Sequence, residues 1–228
     1  IFDPLSVSGL TAWFDAADQS SLVVDTENNQ VISWANKIDH EVKLLPQQTA
    51  PKLGDPINQL ATVHFGPNEY LSTQKIGADW NPFGVDGQIG ASVNNANWFT
   101  VIHFYENKRT QLPNFGAGWA GHLPWEGGRI YWDIWKDGER NRMSSKLTDG
   151  YETMILSMHH SFTKNKREIY KNGSLITSAD TVETVLNGAF SFPGPDHHKS
   201  NPEYRIGEMI FTNQQLLESD RLGLEGYL

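Results

Sequence analysis

The stretch Glu168-Ile-Tyr-Lys-Asn-Gly-Ser-Leu-Ile-Thr177 predicts a β-hairpin and is the clearest local indication of the fold. Its central pair, Asn172 and Gly173, supplies the two positive φ angles that a type I′ turn requires. Other short β-type runs, separated by turn residues, recur along the chain. We expect strands at Leu10–Phe14, Val31–Trp34, Ala61–Phe65, Trp98–Tyr105, Arg129–Ile134, Thr153–His159, Arg167–Lys171, Ser174–Ser178, Ala189–Phe192 and Tyr204–Phe211.

Two further stretches of the sequence indicate the fold class. The run Trp98–Tyr105 is nearly continuous in apolar residues, which is typical of a strand covered on both faces. Near the C-terminus, Ser219 can cap a helix over Asp220–Leu228. The sequence therefore predicts an all-β protein, an antiparallel two-sheet jelly-roll sandwich with one short C-terminal helix. We expect a single domain over residues 1–228, because sandwiches of roughly 200–250 residues often stay undivided.

The composition argues against several classes of protein. The chain has 27 acidic and 18 basic residues, a formal net charge of −9, which is the wrong sign for a nucleic-acid partner. There is no cysteine, so disulfides, thiolate metal sites and thiol nucleophiles are excluded. No apolar run approaches the ~18 residues that a membrane-spanning helix needs, and we expect no membrane insertion.

Three segments in order resemble the concanavalin A-like, laminin-G-like jelly-roll domains of bacterial and phage surface proteins. The first is Val7–Asp18 together with Val31–Asn36, the second is Gly121–Asp133 with its His-Leu-Pro-Trp sequence, and the third runs from Ile206 to Leu228. The family includes glycan binders, spacer modules and the ligand-binding domains of large calcium-dependent (RTX-type) adhesins, among them peptide-binding domains. A departure from the family pattern is the Gly/Asn/Asp-rich insertion Ile76–Asn97, which is either a binding loop or a structural cover.

The resemblance implies a non-catalytic, calcium-dependent adhesion module outside the cell, joined to neighbouring domains of a larger chain. Its ligand would be a peptide or a glycan on the surface of another cell. Within the aromatic-rich middle segment, Trp119 and Trp125 fall in apparent loops, where binding and packing are equally compatible with the sequence. The residues that we expect to contact the ligand are Trp119, His122, Trp125, Glu126 and Tyr131.

Calcium is the expected cofactor, because Asp- and Asn-rich loops provide the oxygen ligands that this ion takes. The alternative is that these carboxylates are solvated turn residues that cap nearby backbone N–H groups. The expected metal ligands are Asp79, Asp86, Asp133, Asp137 and Glu139.

Other functions find less support in the sequence. The Glu-x-Asp-x-x-Glu pattern of jelly-roll glucanases is absent, so we expect no enzyme, although a polysaccharide-active enzyme stays an alternative. A phage tail receptor-binding or spacer domain is a second alternative. Gly116–Gly121 matches a dinucleotide-binding pattern, but no helix can open after it. The pair His159 and His160 should point to opposite faces of one strand and so cannot share a metal.

Overall fold

The computed structural model describes residues 2–84, 87, 93–105, 113–115, 119–125, 127–136, 139–147, 152–182, 188–193 and 203–228, without the side chains of residues 120, 124, 125, 135 and 136. Within these ranges the chain is all-β and antiparallel with one short C-terminal helix, as the sequence predicts. A 3₁₀ turn, Pro4–Ser6, precedes the first strand. The elements are β1 Leu10–Asp15, β2 Leu22–Asp25, β3 Gln30–Ala35, β4 Val42–Pro46, β5 Lys52–Ile57, β6 Leu60–Phe65, β7 Leu71–Lys75, β8 Ala78–Asp79, β9 Asn95–Phe104, β10 Trp119–Trp125, β11 Arg129–Lys136, β12 Glu139–Lys146, β13 Glu152–Ser161, β14 Lys166–Lys171, β15 Ser174–Ala179, β16 Ser191–Phe192, β17 Tyr204–Thr212 and α1 Glu218–Tyr227.

The strands form one long hydrogen-bonded sheet and one small sheet. In the long sheet the order is β15-β14-β13-β9-β17-β6-β5-β3-β4-β7-β16, with β1 beside β17, β2 beside β3 and β8 beside β7. Strand β17 is shared: β9 pairs along one edge, while β6 and then β1 pair along the other. The small sheet has the order β10-β11-β12.

The main core is lined by side chains of both sheets. From the small sheet, Trp119 and Trp132 are buried, with ring centroids 5.6 Å apart. Phe115 joins them to Trp98 of β9, at centroid distances of 6.2 Å from Trp132 and 5.7 Å from Trp98. Large apolar side chains removed from water on both sheets supply the main stabilisation of such a sandwich.

A second apolar cluster lies on the opposite face of the long sheet, under helix α1. It contains Trp13 of β1, Phe99 of β9, Ile210 of β17 and Leu224 of the helix, all buried. Because neighbouring residues of a strand point to opposite faces, Trp98 enters the main core while Phe99 meets the helix cluster. This two-sided burial confirms the prediction made from the apolar run.

The hairpin prediction is also confirmed. Asn172 and Gly173 have φ angles of 48° and 76°, and Lys171 faces Ser174 across the turn between β14 and β15. Both positive angles match the right-handed twist of the flanking strands.

Several boundaries differ from the prediction. The helix begins at Glu218, with Leu217 as its N-cap residue and no side-chain cap, so the predicted cap at Ser219 is wrong. Of Ala189–Phe192, only Ser191–Phe192 forms a strand. Seven strands are not predicted by the sequence pattern, because they are short or because polar residues obscure the alternation of apolar and polar positions. They are β2, β4, β5, β7, β8, β10 and β12.

The described part of the insertion Ile76–Asn97 is a structural cover. Trp80 and Phe83 are buried in the main core. The Asn81 side-chain amide is fully buried and donates to the Phe115 and Gly188 carbonyl oxygens, at 2.8 and 3.1 Å. Buried hydrogen bonds of this kind hold a segment in place. Residues 85, 86 and 88–92 lie outside the described residues.

Candidate functional site

The outer face of the small sheet carries several of the residues singled out in the sequence. Opposite partners in the regular β11–β12 register, such as Asp133 with Arg142 and Tyr131 with Ser144, project from the same face. The other face, with Ile130, Trp132 and Met143, is buried in the core. We call the outward set the cationic face, which comprises His122, Arg129, Tyr131, Asp133, Arg140, Arg142, Ser144 and Lys146.

A buried carboxylate organises the cationic face. Asp133 is fully buried and receives two hydrogen bonds from Arg142, from Nε at 2.7 Å and from Nη2 at 2.6 Å. The Nε2 atom of His122 lies 3.3 Å from the same carboxylate. Burial alone would raise the pKa of Asp133, but the hydrogen bonds and charges of Arg142 and His122 outweigh burial and lower it. Asp133 is therefore an anion that fixes the guanidinium of Arg142.

An aromatic ring supports the same guanidinium. The Arg142 guanidinium carbon lies 4.3 Å from the centroid of the Tyr131 ring, a cation–π contact. The His122 ring meets Tyr131 edge-on, with centroids 6.2 Å apart. The Nε and Nη2 groups of Arg142 bind Asp133, and the Arg142 side chain is still 32% exposed. The arrangement holds a rigid positive group at the surface of the sheet.

The charge of this face is opposite to that of the whole chain. Arg129, Arg140, Arg142 and Lys146 are exposed. Among the described residues of the face, the one carboxylate is Asp133, which is buried beneath Arg142. The chain as a whole has a formal net charge of −9. A local cationic surface on an acidic protein can attract and orient an anionic ligand.

The structure separates the predicted ligand residues. His122 and Tyr131 lie together on the cationic face. Trp119 is in β10 and only 1% exposed, so its predicted loop position and direct ligand contact are wrong. Trp125 ends the same strand, which corrects its predicted loop position too, and its side chain is outside the description. Glu126 lies outside the described residues.

The predicted calcium ligands do not assemble in the described residues. The buried carboxylate of Asp133 accepts two hydrogen bonds from Arg142, which compete with calcium for its oxygens. Asp79 and Glu139 are exposed and belong to different sheets. Asp86 and Asp137 lie outside the described residues. The described ranges hold no group of three or more His, Asp or Glu side chains that could bind a metal ion.

The basic residues of β12 were missed by the sequence reasoning. Strand β12 has basic residues at alternate positions and few apolar residues, and it reads Glu139-Arg-Asn-Arg-Met-Ser-Ser-Lys146. This alternation is the pattern of a strand with one charged face. Recognising it would have required knowing that the segment is a strand.

The histidine pair behaves as predicted. His159 lies near Phe99 of the helix cluster, at a centroid distance of 5.0 Å, whereas His160 lies 4.7 Å from Trp119 of the main core. The two rings therefore occupy opposite faces of β13. Both are buried.

Comparison with known proteins identifies the type of fold. The chain is similar to the binding domain of botulinum neurotoxin serotype D, with a TM-score of 0.66 and 10% identity over 98% of this chain and 52% of that chain. A ligand binding domain of serotype D in complex with N-acetylneuraminic acid gives 0.65 and 11% over the same shares. The receptor binding domain of type G gives 0.62 and 10%, over 96% and 51%.

The likeness is one of fold. At these identities it supports a β-sandwich and extends to about half the length of each of these domains. No protein-family model matches the chain, and no curated protein sequence matches it. Within the described residues, no helix is long and apolar enough to cross a membrane.

Proposed function

We propose that the chain is a non-catalytic ligand-binding module of a larger bacterial surface protein, acting outside the cell. Its ligand is a glycan or a peptide on another cell. The observation that carries the proposal is the cationic face, where Asp133 and Tyr131 hold the Arg142 guanidinium at the surface. Because Nε and Nη2 of this guanidinium already bind Asp133, a ligand carboxylate or sulfate would meet its outer edge together with the neighbouring Arg129 and Arg140.

The fold comparison supports a binding role. One of the similar structures is a ligand binding domain in complex with N-acetylneuraminic acid, an acidic sugar. An acidic ligand of this kind would complement Arg129, Arg140 and Arg142. The resemblance to RTX-type adhesins agrees with such a role and adds the expectation of neighbouring domains.

A non-catalytic role agrees with the chemistry of the face. A retaining glycosidase needs two carboxyl groups about 5 Å apart, one of them able to give up a proton. Asp133 is held as an anion by Arg142 and His122, so it cannot serve as the acid. Calcium dependence stays part of the proposal.

The experiment compares charge reversal on the cationic face with charge reversal elsewhere. The purified protein is tested on arrays of acidic glycans, neutral glycans and peptides, as wild type and as Arg140→Glu. Lys43→Glu is the matched control, because Lys43 is exposed on β4 and the net charge changes equally. We expect Arg140→Glu to weaken binding about tenfold, ~1.4 kcal/mol, and the control to leave it unchanged.

Two results would overturn the proposed non-catalytic binding role. One is a wild-type protein that retains none of the arrayed ligands. The other is release of new reducing ends from a polysaccharide, which would identify an enzyme. Equal losses in Arg140→Glu and Lys43→Glu would show that net charge, and not this face, governs binding.

A further inference from the structure

A polar pocket lies on the other side of the molecule from the cationic face. It has a volume of about 100 Å³ and sits where the outer face of β9, β13 and β14 meets the segment before α1 and the first turn of that helix. Its lining includes Asn97, His159, Lys164, Tyr170, Gln215 and Arg221. None of these residues belongs to the cationic face.

The pocket contains a histidine whose hydrogen position is fixed by its neighbours. The Asn97 side-chain nitrogen donates to Thr212 Oγ1 at 2.8 Å and to the Gln214 carbonyl oxygen at 2.9 Å. The Asn97 Oδ1 atom is thereby turned toward His159 Nδ1, 3.0 Å away. An oxygen acceptor there requires the hydrogen on Nδ1, which leaves the Nε2 of a neutral ring as an acceptor.

That acceptor has no hydrogen-bond partner among the described residues. His159 is 8% exposed, and its Nε2 atom is buried without a hydrogen bond. Burial lowers the pKa of His159 to about 3, and the positive charge of Arg221 acts in the same direction. The ring is therefore neutral at ordinary pH. A buried acceptor without a donor costs free energy that a suitable ligand can recover.

The charges around the pocket are largely paired. Lys166 lies 2.5 Å from Glu168, and Arg221 lies 2.5 Å from Glu218. Lys164 is exposed. In contrast to the cationic face, this pocket offers donors and acceptors side by side without a large excess of either charge. Such a mixture suits hydroxyl groups, which donate and accept at once.

We propose that this pocket binds the hydroxyl edge of one neutral sugar residue, which accepts from Lys164 Nζ and, by a small displacement of the lining side chains, donates to the enclosed Nε2 of His159. A volume of about 100 Å³ equals roughly three water molecules at about 30 Å³ each, which is room for part of one ring. The pocket is a second site, and its existence does not depend on the proposed function of the cationic face.

The test is a titration of ¹⁵N-labelled protein with methyl glucoside, methyl galactoside and N-acetylglucosamine, followed by NMR. For at least one sugar we expect saturable shifts, with a dissociation constant of about 1 mM, at the ring nitrogens of His159 and the side-chain amide of Asn97. Lys164→Ala should weaken that sugar about tenfold, because it removes a charged hydrogen-bond donor. Lys43→Ala, at an exposed position of β4 outside both sites, is the matched control and should leave the affinity unchanged.

The proposal fails if all three sugars leave the His159 and Asn97 signals unmoved. It also fails if methylammonium shifts them at lower concentration than the sugars do, which would identify an amine site. The ¹⁵N chemical shifts of the His159 ring in the free protein are an independent check, because they show which ring nitrogen carries the hydrogen. A hydrogen on Nε2 would remove the acceptor and contradict the proposal. Loss of array binding by Arg140→Glu would concern the cationic face alone, so the two proposals can fail separately.

Discussion

Trp119 contributes to the interior of the protein. Its ring contacts Trp132 at 5.6 Å, Phe115 at 6.1 Å and His160 at 4.7 Å between centroids. Replacing a buried tryptophan by alanine removes these contacts and leaves a cavity that the surrounding sheet fills only in part.

We therefore expect Trp119→Ala to lower the free energy of unfolding by about 3–5 kcal/mol. Tyr131→Ala is the contrasting variant: its ring is half-buried on the cationic face, so stability should fall by less than about 2 kcal/mol while ligand binding weakens. Urea denaturation of both variants makes the comparison. An unchanged unfolding midpoint for Trp119→Ala would contradict the buried position.

Glu208 is a second residue whose environment determines its chemistry. Trp13 Nε1 donates to Glu208 Oε1 at 2.5 Å, and Asp15 stands opposite on β1. Burial raises the pKa of Glu208 to about 7, with the charge of Asp15 adding to the effect and hydrogen bonds from Trp13 and Tyr227 opposing it. The folded protein therefore holds a proton that the unfolded chain has lost above pH 4.5.

The sign of the resulting pH dependence follows from that proton. Between the ordinary pKa of 4.5 and about 7 the folded state binds more protons, so the contribution of Glu208 to stability falls as pH rises. Across this range the free energy of unfolding falls by about 3 kcal/mol. Glu208→Gln keeps an oxygen acceptor for Trp13 but cannot ionise. We expect the variant to gain about 3 kcal/mol relative to wild type between pH 4.5 and 8.

Urea denaturation at several pH values measures this difference. Glu41→Gln, on an exposed turn, is the control and should run parallel to the wild type. Parallel curves for Glu208→Gln and the wild type would mean that Glu208 titrates normally.

At the scale of elements, the small sheet contains an ion pair between the buried Asp133 and the exposed Arg142. Arg142→Ala leaves Asp133 as a buried anion without its main partner, and we expect stability to fall by about 3 kcal/mol. The double variant Asp133→Asn/Arg142→Ala removes the unpaired charge and should recover at least half of that loss. Equilibrium unfolding of the three proteins tests this. A double variant that is less stable than Arg142→Ala would contradict the role assigned to the pair.

How far the sequence determines an element depends on whether its signal is local. The hairpin at Asn172 and Gly173 was predictable because the turn geometry resides in two residues. Strands β10 and β12 were not, because a glycine and a proline interrupt β10 and basic residues alternate along β12. Their strand character comes from pairing with β11, which local patterns do not contain.

The candidate site was predictable only in part for the same reason. His122 and Tyr131 could be selected from the aromatic-rich segment itself. Arg142 could not, since it reaches Asp133 across a strand pair whose register is not written in either segment. The glycines around Trp119 predict a loop, whereas the fold buries its ring in a strand.

For the whole molecule, calcium binding remains a prediction from the acidic composition and the family resemblance. We expect heat of binding when calcium is added to chelator-treated protein, together with a higher melting temperature. Magnesium should not substitute, because its smaller octahedral shell fits irregular loops poorly. Asp133→Asn should leave the calcium effect intact, since that residue is already paired. No heat and an unchanged melting temperature would leave the carboxylates as solvated turn residues.

The shared strand β17 has a consequence for exchange of backbone hydrogens with solvent. Its amides are enclosed by β9 on one edge and by β6 and β1 on the other, with an apolar cluster on each face. Deuterium can reach them when both clusters separate together, so their exchange should report global unfolding. Strand β15, which pairs with β14 and ends the long sheet, can fray alone and should exchange orders of magnitude sooner. Deuterium labelling times measured by mass spectrometry should therefore lengthen from the edge strand β15 toward β17.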